Sequence, residues 1–131
     1  MNDPVAVVLV FVGGAGGSAI RWLVCLCVGE HRKDSTFPLG TLLINVSGAF
    51  VMGFLSTFFY VDWKDRHGSY LTAFVLTGVL GGYTTFSSYQ LDTANLYNIG
   101  KRGWALYYCV GSVVAGLLAA ALGAITAKLL R

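Results

Sequence analysis

The residues in this sequence best suited to chemistry are uncharged polar side chains inside long apolar runs. Asn45 lies within Gly40-Thr-Leu-Leu-Ile-Asn-Val-Ser-Gly48, and its amide offers two N–H donors and one acceptor oxygen. Tyr108 and Ser112 are one helical turn apart in the last run, so their hydroxyls can point to a common path. Because polar groups inside a membrane are costly, they are functional candidates. Asn45 can either form an interhelical hydrogen bond or donate to a passing solute, and both roles remain open.

The segment from Thr77 to Asp92 carries the strongest local signal. Gly81-Gly82 followed by Thr84-Thr85 is poor helix material in the middle of a hydrophobic run, and it predicts a helix break at 81–85. Irregular backbone at membrane depth persists only when it is buried in protein or lines a water-filled cavity. A break also frees carbonyl groups that can bind a cation and N–H groups that favour an anion. The alternative is an unbroken helix that uses its glycines for packing.

Two aromatic residues follow the predicted break. Phe86 and Tyr89 are three residues apart and share a helix face. An aromatic ring has a positive edge, so ring edges along a narrow path can attract a small anion without a full positive charge. The same spacing is common in ordinary core packing, which is the competing interpretation of this pair.

The composition determines which elements can position these groups. Of 131 residues, 56% are hydrophobic and 11% are charged, against roughly 25% charged in a soluble domain. This balance argues against a soluble enzyme, a nucleic-acid binder and a secreted disulfide domain. The sequence also contains no nucleophile–base pair and no phosphate-binding loop that would indicate an enzyme. The sequence therefore predicts an all-α integral membrane protein that forms a single transmembrane domain over residues 1–131.

Four apolar runs are long enough for the roughly 20 residues of a membrane helix. The predicted spans cover about residues 5–28, 39–61, 69–97 with the break, and 103–127. Arg21 is the one charge in the first span, where its head group can still reach the interface, and we assign it a structural role.

The distribution of lysine and arginine gives no preferred orientation. Four crossings place both termini and the second loop on one side of the membrane. The Lys and Arg residues divide four against four: Lys64, Arg66, Lys128 and Arg131 on that side, and Arg32, Lys33, Lys101 and Arg102 on the other. Because these charges normally decide the direction of insertion, either another feature fixes the orientation or the chain inserts both ways. Insertion both ways would permit an antiparallel homodimer.

Taken together, these features resemble the Fluc (CrcB-type) fluoride channels. The resemblance rests on Gly13-Gly-Ala-Gly-Gly17 followed by Arg21-Trp22, on the block from Gly40 to Asn45, on Gly81-Gly-Tyr-Thr-Thr-Phe-Ser-Ser-Tyr89, and on a Gly/Ala-rich last helix with Tyr108. It covers essentially the whole chain. It implies a dual-topology antiparallel homodimer in the bacterial plasma membrane, with fluoride, a second copy and the lipid bilayer as partners.

The resemblance also implies roles for individual residues. Asn45 and Phe86 match pore residues, and Tyr89 stands where the family usually has a second phenylalanine, so that its hydroxyl is an additional possible donor. The carbonyls of Gly81 and Thr84 match the ligands of a structural sodium ion at the dimer centre. The remaining matches are a polar wall and part of a hydroxyl track: Thr85, Ser87 and Ser88 for the wall, and Tyr108 and Ser112 for the track.

The function implied by this resemblance is passive, selective export of cytoplasmic fluoride, which lowers its toxicity. The competing interpretation is a small proton-coupled exporter resembling the small multidrug resistance transporters, which also have four short spans. Such exporters need a carboxylate within the membrane, whereas the first span here has none and Asp92 lies near a span end.

Overall fold

The structure is a computed structural model that describes residues 3–31, 37–59 and 69–131, without the side chains of residues 30 and 31. All of its regular elements within those ranges are helices. They are α1 (Pro4–His31), α2 (Leu39–Phe58), α3 (Tyr70–Thr72), a π-helical segment (Ala73–Leu80), α4 (Gly81–Tyr83), α5 (Phe86–Asn98) and α6 (Arg102–Leu129).

The third apolar run is interrupted, as the sequence predicts, but over fewer residues. α3, the π-helical segment and α4 follow one another without a gap, and only Thr84 and Thr85 adopt extended backbone, with ψ angles of 157° and 121°. Gly81 and Gly82 remain helical, so the predicted break at 81–85 is too wide. The reason is that Gly82 serves close packing: a Cβ there would meet the backbone of Gly14.

Small residues bring α1 against the π-helical segment. A Cβ on Gly13 would lie 3.0 Å from the Cα of Gly78, and a Cβ on Gly17 would lie 2.9 Å from the backbone nitrogen of Tyr83. Both distances are tighter than nine in ten real Cβ contacts. In lipid, where no hydrophobic drive joins helices, such close approach supplies van der Waals packing. The break is therefore held at a fixed distance from the first helix.

α2 packs along α6 in the same way, and α5 packs against α6 beyond the break. A Cβ on Gly53 would meet the backbone of Ala120, and one on Gly123 would meet the backbone of Phe50. Between α5 and α6 lies a small core of Tyr89, Leu96, Ala105 and Tyr108. This core fixes α5 relative to α6 next to the break.

The outer faces of the helices are apolar, as expected for a multi-pass membrane protein. Within the described ranges, three helices are long and apolar enough to cross a membrane: Pro4–Gly29, Leu39–Phe58 and Arg102–Leu129. The interrupted run is divided at Thr84 and Thr85, and a fourth crossing formed by its two halves stays a prediction. Four charged residues of the orientation count lie outside the described residues: Arg32, Lys33, Lys64 and Arg66. The end of the predicted second span, residues 60 and 61, lies outside them as well.

Candidate functional site

Asn45 and Thr85 join α2 to the break through a pair of hydrogen bonds. Asn45 Nδ2 donates to the Thr85 carbonyl at 2.8 Å, and the Thr85 N–H donates to Asn45 Oδ1 at 2.9 Å. The side-chain amide thus replaces the helical partners that the extended backbone has lost. Of the two roles left open by the sequence, the structure shows the interhelical one. One Nδ2 hydrogen remains beyond this pair, and its donation to a solute stays a prediction.

The Thr85 side chain caps the helix that follows. Its Oγ1 accepts from the backbone N–H of Ser88 at 3.2 Å, and only 8% of the residue is exposed. The hydroxyls of Ser88 and Ser87 lie 3.1 and 3.3 Å from the same oxygen. Because the first N–H groups of a helix carry partial positive charge, α5 begins with a polar cluster that favours negative charge nearby.

α1 supports the other side of the break through two polar side chains. Ser18 Oγ donates to the Gly82 carbonyl at 3.3 Å, and Arg21 Nη1 donates to the Thr84 carbonyl at 3.4 Å. The structural role assigned to Arg21 from the sequence stays a prediction, which this contact supports. Ser18 was missed, although it lies three residues before Arg21 and therefore on the same helix face.

A cavity of about 270 Å³ opens beside the break. Its lining includes five of the predicted pore residues together with Thr84 and Val113. The five are Asn45, Thr85, Phe86, Tyr89 and Ser112. Ser87 and Ser88 belong to the cap of α5, and Tyr108 packs behind the Tyr89 ring. Groups from α2, the break, α5 and α6 thus converge on one space.

The aromatic rings at the cavity form a continuous row. The centroids of Phe86 and Tyr89 are 5.6 Å apart with planes at 38°, and those of Tyr89 and Tyr108 are 5.5 Å apart with planes at 42°. Phe86 is 69% exposed in the single chain, whereas Tyr89 and Tyr108 are buried. The Tyr89 hydroxyl donates to the carbonyl of Cys109 at 2.6 Å and lies 3.1 Å from its sulfur. Its hydrogen is therefore directed to α6 and away from the cavity.

Two hydroxyls on α6 are buried without a hydrogen-bond partner in the part of the chain that the structure describes, namely those of Tyr108 and Ser112. A buried polar group without a partner costs free energy, so the Ser112 hydroxyl is a candidate to bind water or an ion, whereas the Tyr108 hydroxyl lies close to Thr41 and Asp92. Ser112 faces the cavity. Asp92, which precedes them on α5, accepts a hydrogen bond from Thr41 Oγ1 at 2.7 Å, which joins this end of α5 to α2.

The carbonyls of Gly81 and Thr84, predicted to hold a sodium ion, have lost the hydrogen-bond partners of a continuous helix. In a continuous helix their carbonyls would accept from the N–H groups of Thr85 and Ser88, but those groups donate to Asn45 and to Thr85 Oγ1 instead. Unwound backbone carbonyls of this kind coordinate sodium in membrane proteins. Gly81 is exposed, and a Cβ there would meet open space. The Arg21 charge at the Thr84 carbonyl opposes a cation, so the Gly81 oxygen is the more favourable ligand.

Comparison with known proteins gives a consistent result. The family model described as "CrcB-like protein, Camphor Resistance (CrcB)" matches residues 8–124. The chain is 56% identical over 126 residues to the "Fluoride-specific ion channel FluC 2" of Brucella abortus biovar 1 (strain 9-941), covering 96% of this chain and 97% of that protein.

Two further relatives have similar names. The chain is 57% identical over 118 residues to the "Fluoride-specific ion channel FluC 1" of Brucella melitensis, covering 90% of this chain and 95% of the relative. It is 55% identical over 118 residues to the "Fluoride-specific ion channel FluC 2" of Yersinia pseudotuberculosis, covering 90% and 93%. With a family model that matches most of its length and relatives above half identity, the chain belongs to the CrcB-like family.

Proposed function

We propose that this protein is a passive channel that conducts fluoride across the membrane in preference to larger anions. The observation that carries the proposal is a sequence comparison. More than half of the aligned residues are identical to those of relatives named fluoride-specific ion channels, over nearly the full lengths of those relatives. The cavity beside the break supports it, because its polar lining groups are uncharged.

The cavity offers fluoride a set of weak, neutral donors. A channel must replace the water of a strongly hydrated ion and still release it. The remaining Nδ2 hydrogen of Asn45, the hydroxyl of Ser112 and the ring edges of Phe86 and Tyr89 meet both conditions. A fixed lysine or arginine at this place would hold the anion too long for rapid transfer.

We propose that two copies inserted in opposite directions form the working channel. The high exposure of Phe86, a cavity residue, supports this because a second copy would cover it. The tie in the count of lysine and arginine supports insertion both ways. Sodium would be held by the carbonyls of Gly81 and Thr84 from both copies, and when bound it would supply positive charge that joins the two interrupted helices. In the bacterial plasma membrane such a channel lets fluoride leave the cytoplasm.

Fluoride release from proteoliposomes tests the function. Liposomes loaded with potassium fluoride and reconstituted with the protein should release fluoride when valinomycin carries the potassium, and liposomes loaded with potassium chloride should release chloride much more slowly. An electrode selective for each ion measures the release. Equal release of the two anions, or none of either, would refute the proposed function. Labelling single cysteines at both termini from both membrane sides tests the antiparallel arrangement.

A further inference from the structure

The hydroxyl of Tyr89 connects α5 to α6 at the wall of the cavity. Its bond to the Cys109 carbonyl is short, at 2.6 Å, and the residue is only 9% exposed. Cys109 lies three residues before Ser112, so the point of attachment on α6 is one turn from a residue that lines the cavity. This hydrogen bond therefore ties the Tyr89 ring on α5 to the backbone of α6, in addition to the packing of the small core between the two helices.

We propose that the Tyr89 hydroxyl is a positioning group that sets anion selectivity by fixing the tilt of its own ring; the inference rests on the proposed fluoride conduction. The ring axis is held at Cβ by α5 and at the phenol oxygen by α6. Without the hydroxyl, the ring axis is held only at Cβ, and packing against Phe86 and Tyr108 is all that restricts the tilt of the ring. A ring that tilts widens the cavity at Ser112.

The direction of the hydrogen bond decides which part of Tyr89 an anion meets. Because a phenol has one hydrogen and this hydrogen lies on the Cys109 carbonyl, the oxygen presents only lone pairs elsewhere, and lone pairs repel anions. The ring edge and the Ser112 hydroxyl therefore remain as the attractive groups on this wall. Tyr89 therefore presents a ring edge to the ion as a phenylalanine would, and its hydrogen bond to the Cys109 carbonyl on α6 fixes the orientation of that ring.

Tyr89→Phe tests the proposal because it removes the hydroxyl and keeps the ring. The rates of fluoride and chloride release per channel are measured in proteoliposomes at low protein density, where the fraction of vesicles that empty gives the number of active channels. We expect the ratio of the fluoride to the chloride rate to fall about fivefold, which corresponds to one hydrogen bond of about 1 kcal/mol. Tyr107→Phe is the matched control on α6, since Tyr107 is 66% exposed, and its ratio should equal that of the unaltered protein.

The outcomes separate this proposal from the proposed function. A folding defect lowers the fraction of vesicles that empty and leaves the rate ratio unchanged, so an unchanged ratio for Tyr89→Phe overturns the inference. A second variant, with 4-aminophenylalanine at position 89, restores a donor toward the Cys109 carbonyl and should restore the ratio; failure to do so also overturns it. If the unaltered protein releases no fluoride, the proposed function itself fails.

Discussion

Replacing Asn45 with leucine removes both hydrogen bonds that hold the break to α2. The N–H and carbonyl of Thr85 then lose their partners at a residue that is only 8% exposed. An unpaired buried group costs about 1–3 kcal/mol, so we expect the free energy of unfolding to fall by about 2–6 kcal/mol. Loss of the remaining Nδ2 donor toward the anion should lower fluoride flux about tenfold to a hundredfold, because a hydrogen bond to a charged group contributes about 1.5–3 kcal/mol.

Asn45→Asp separates the two effects. Its carboxylate still accepts from the Thr85 N–H but places negative charge against the Thr85 carbonyl and the anion path, so flux should fall more than stability. Unfolding is followed by circular dichroism in detergent and flux by fluoride release from proteoliposomes. Asn95→Leu, at an exposed position of α5, is the control and should change stability by less than about 0.5 kcal/mol. If Asn45→Leu behaves like this control in both assays, the assigned role of Asn45 is wrong.

Three further predictions follow from single contacts. Gly48→Ala places a methyl group against the Thr84 side chain and should lower stability by about 1–3 kcal/mol, measured by thermal unfolding. Ser112→Ala removes a buried hydroxyl that has no partner among the described residues, so fluoride flux should fall without loss of thermal stability. The pKa of Asp3, outside the membrane spans, lies below its ordinary value of 3.8, first because the Tyr70 hydroxyl donates to the carboxylate. A carboxyl group whose pKa is lower in the folded protein contributes stability at pH values above its unfolded-state pKa. This contribution is lost as the pH falls through the folded-state pKa. The melting temperature should therefore fall below about pH 3.8 more steeply than in Asp3→Asn.

The elements of this protein could be predicted because hydropathy and glycine spacing are local properties. Long apolar runs indicate membrane helices whatever they pack against, and two glycines followed by two threonines indicate an interruption. The exact position of the break could not be predicted, because it depends on tertiary contacts. Gly82 stays helical where it meets Gly14, and the helix ends where Asn45 supplies substitute partners to Thr85.

The sequence names several residues that the structure brings to one cavity, and their roles in conduction stay predictions; it does not give their hydrogen bonds. The sequence places Asn45, Phe86 and Ser112 among the candidates, and the structure brings them to one cavity. The sequence does not show where the Tyr89 hydroxyl points, because its acceptor is a backbone carbonyl on α6. Any residue can present such a carbonyl, so its identity depends on how the helices pack.

The groups that satisfy the interrupted backbone all precede it in the chain. Ser18 and Arg21 belong to α1 and Asn45 to α2, so each is synthesised before Thr84. Unpaired peptide groups are costly in hydrocarbon, and synthesis delivers the N-terminal segments first. The newly inserted helices thus provide a prepared template on which the third segment can fold as it enters the bilayer. A version of this chain rearranged to begin at the third segment would lack that template during its own biogenesis.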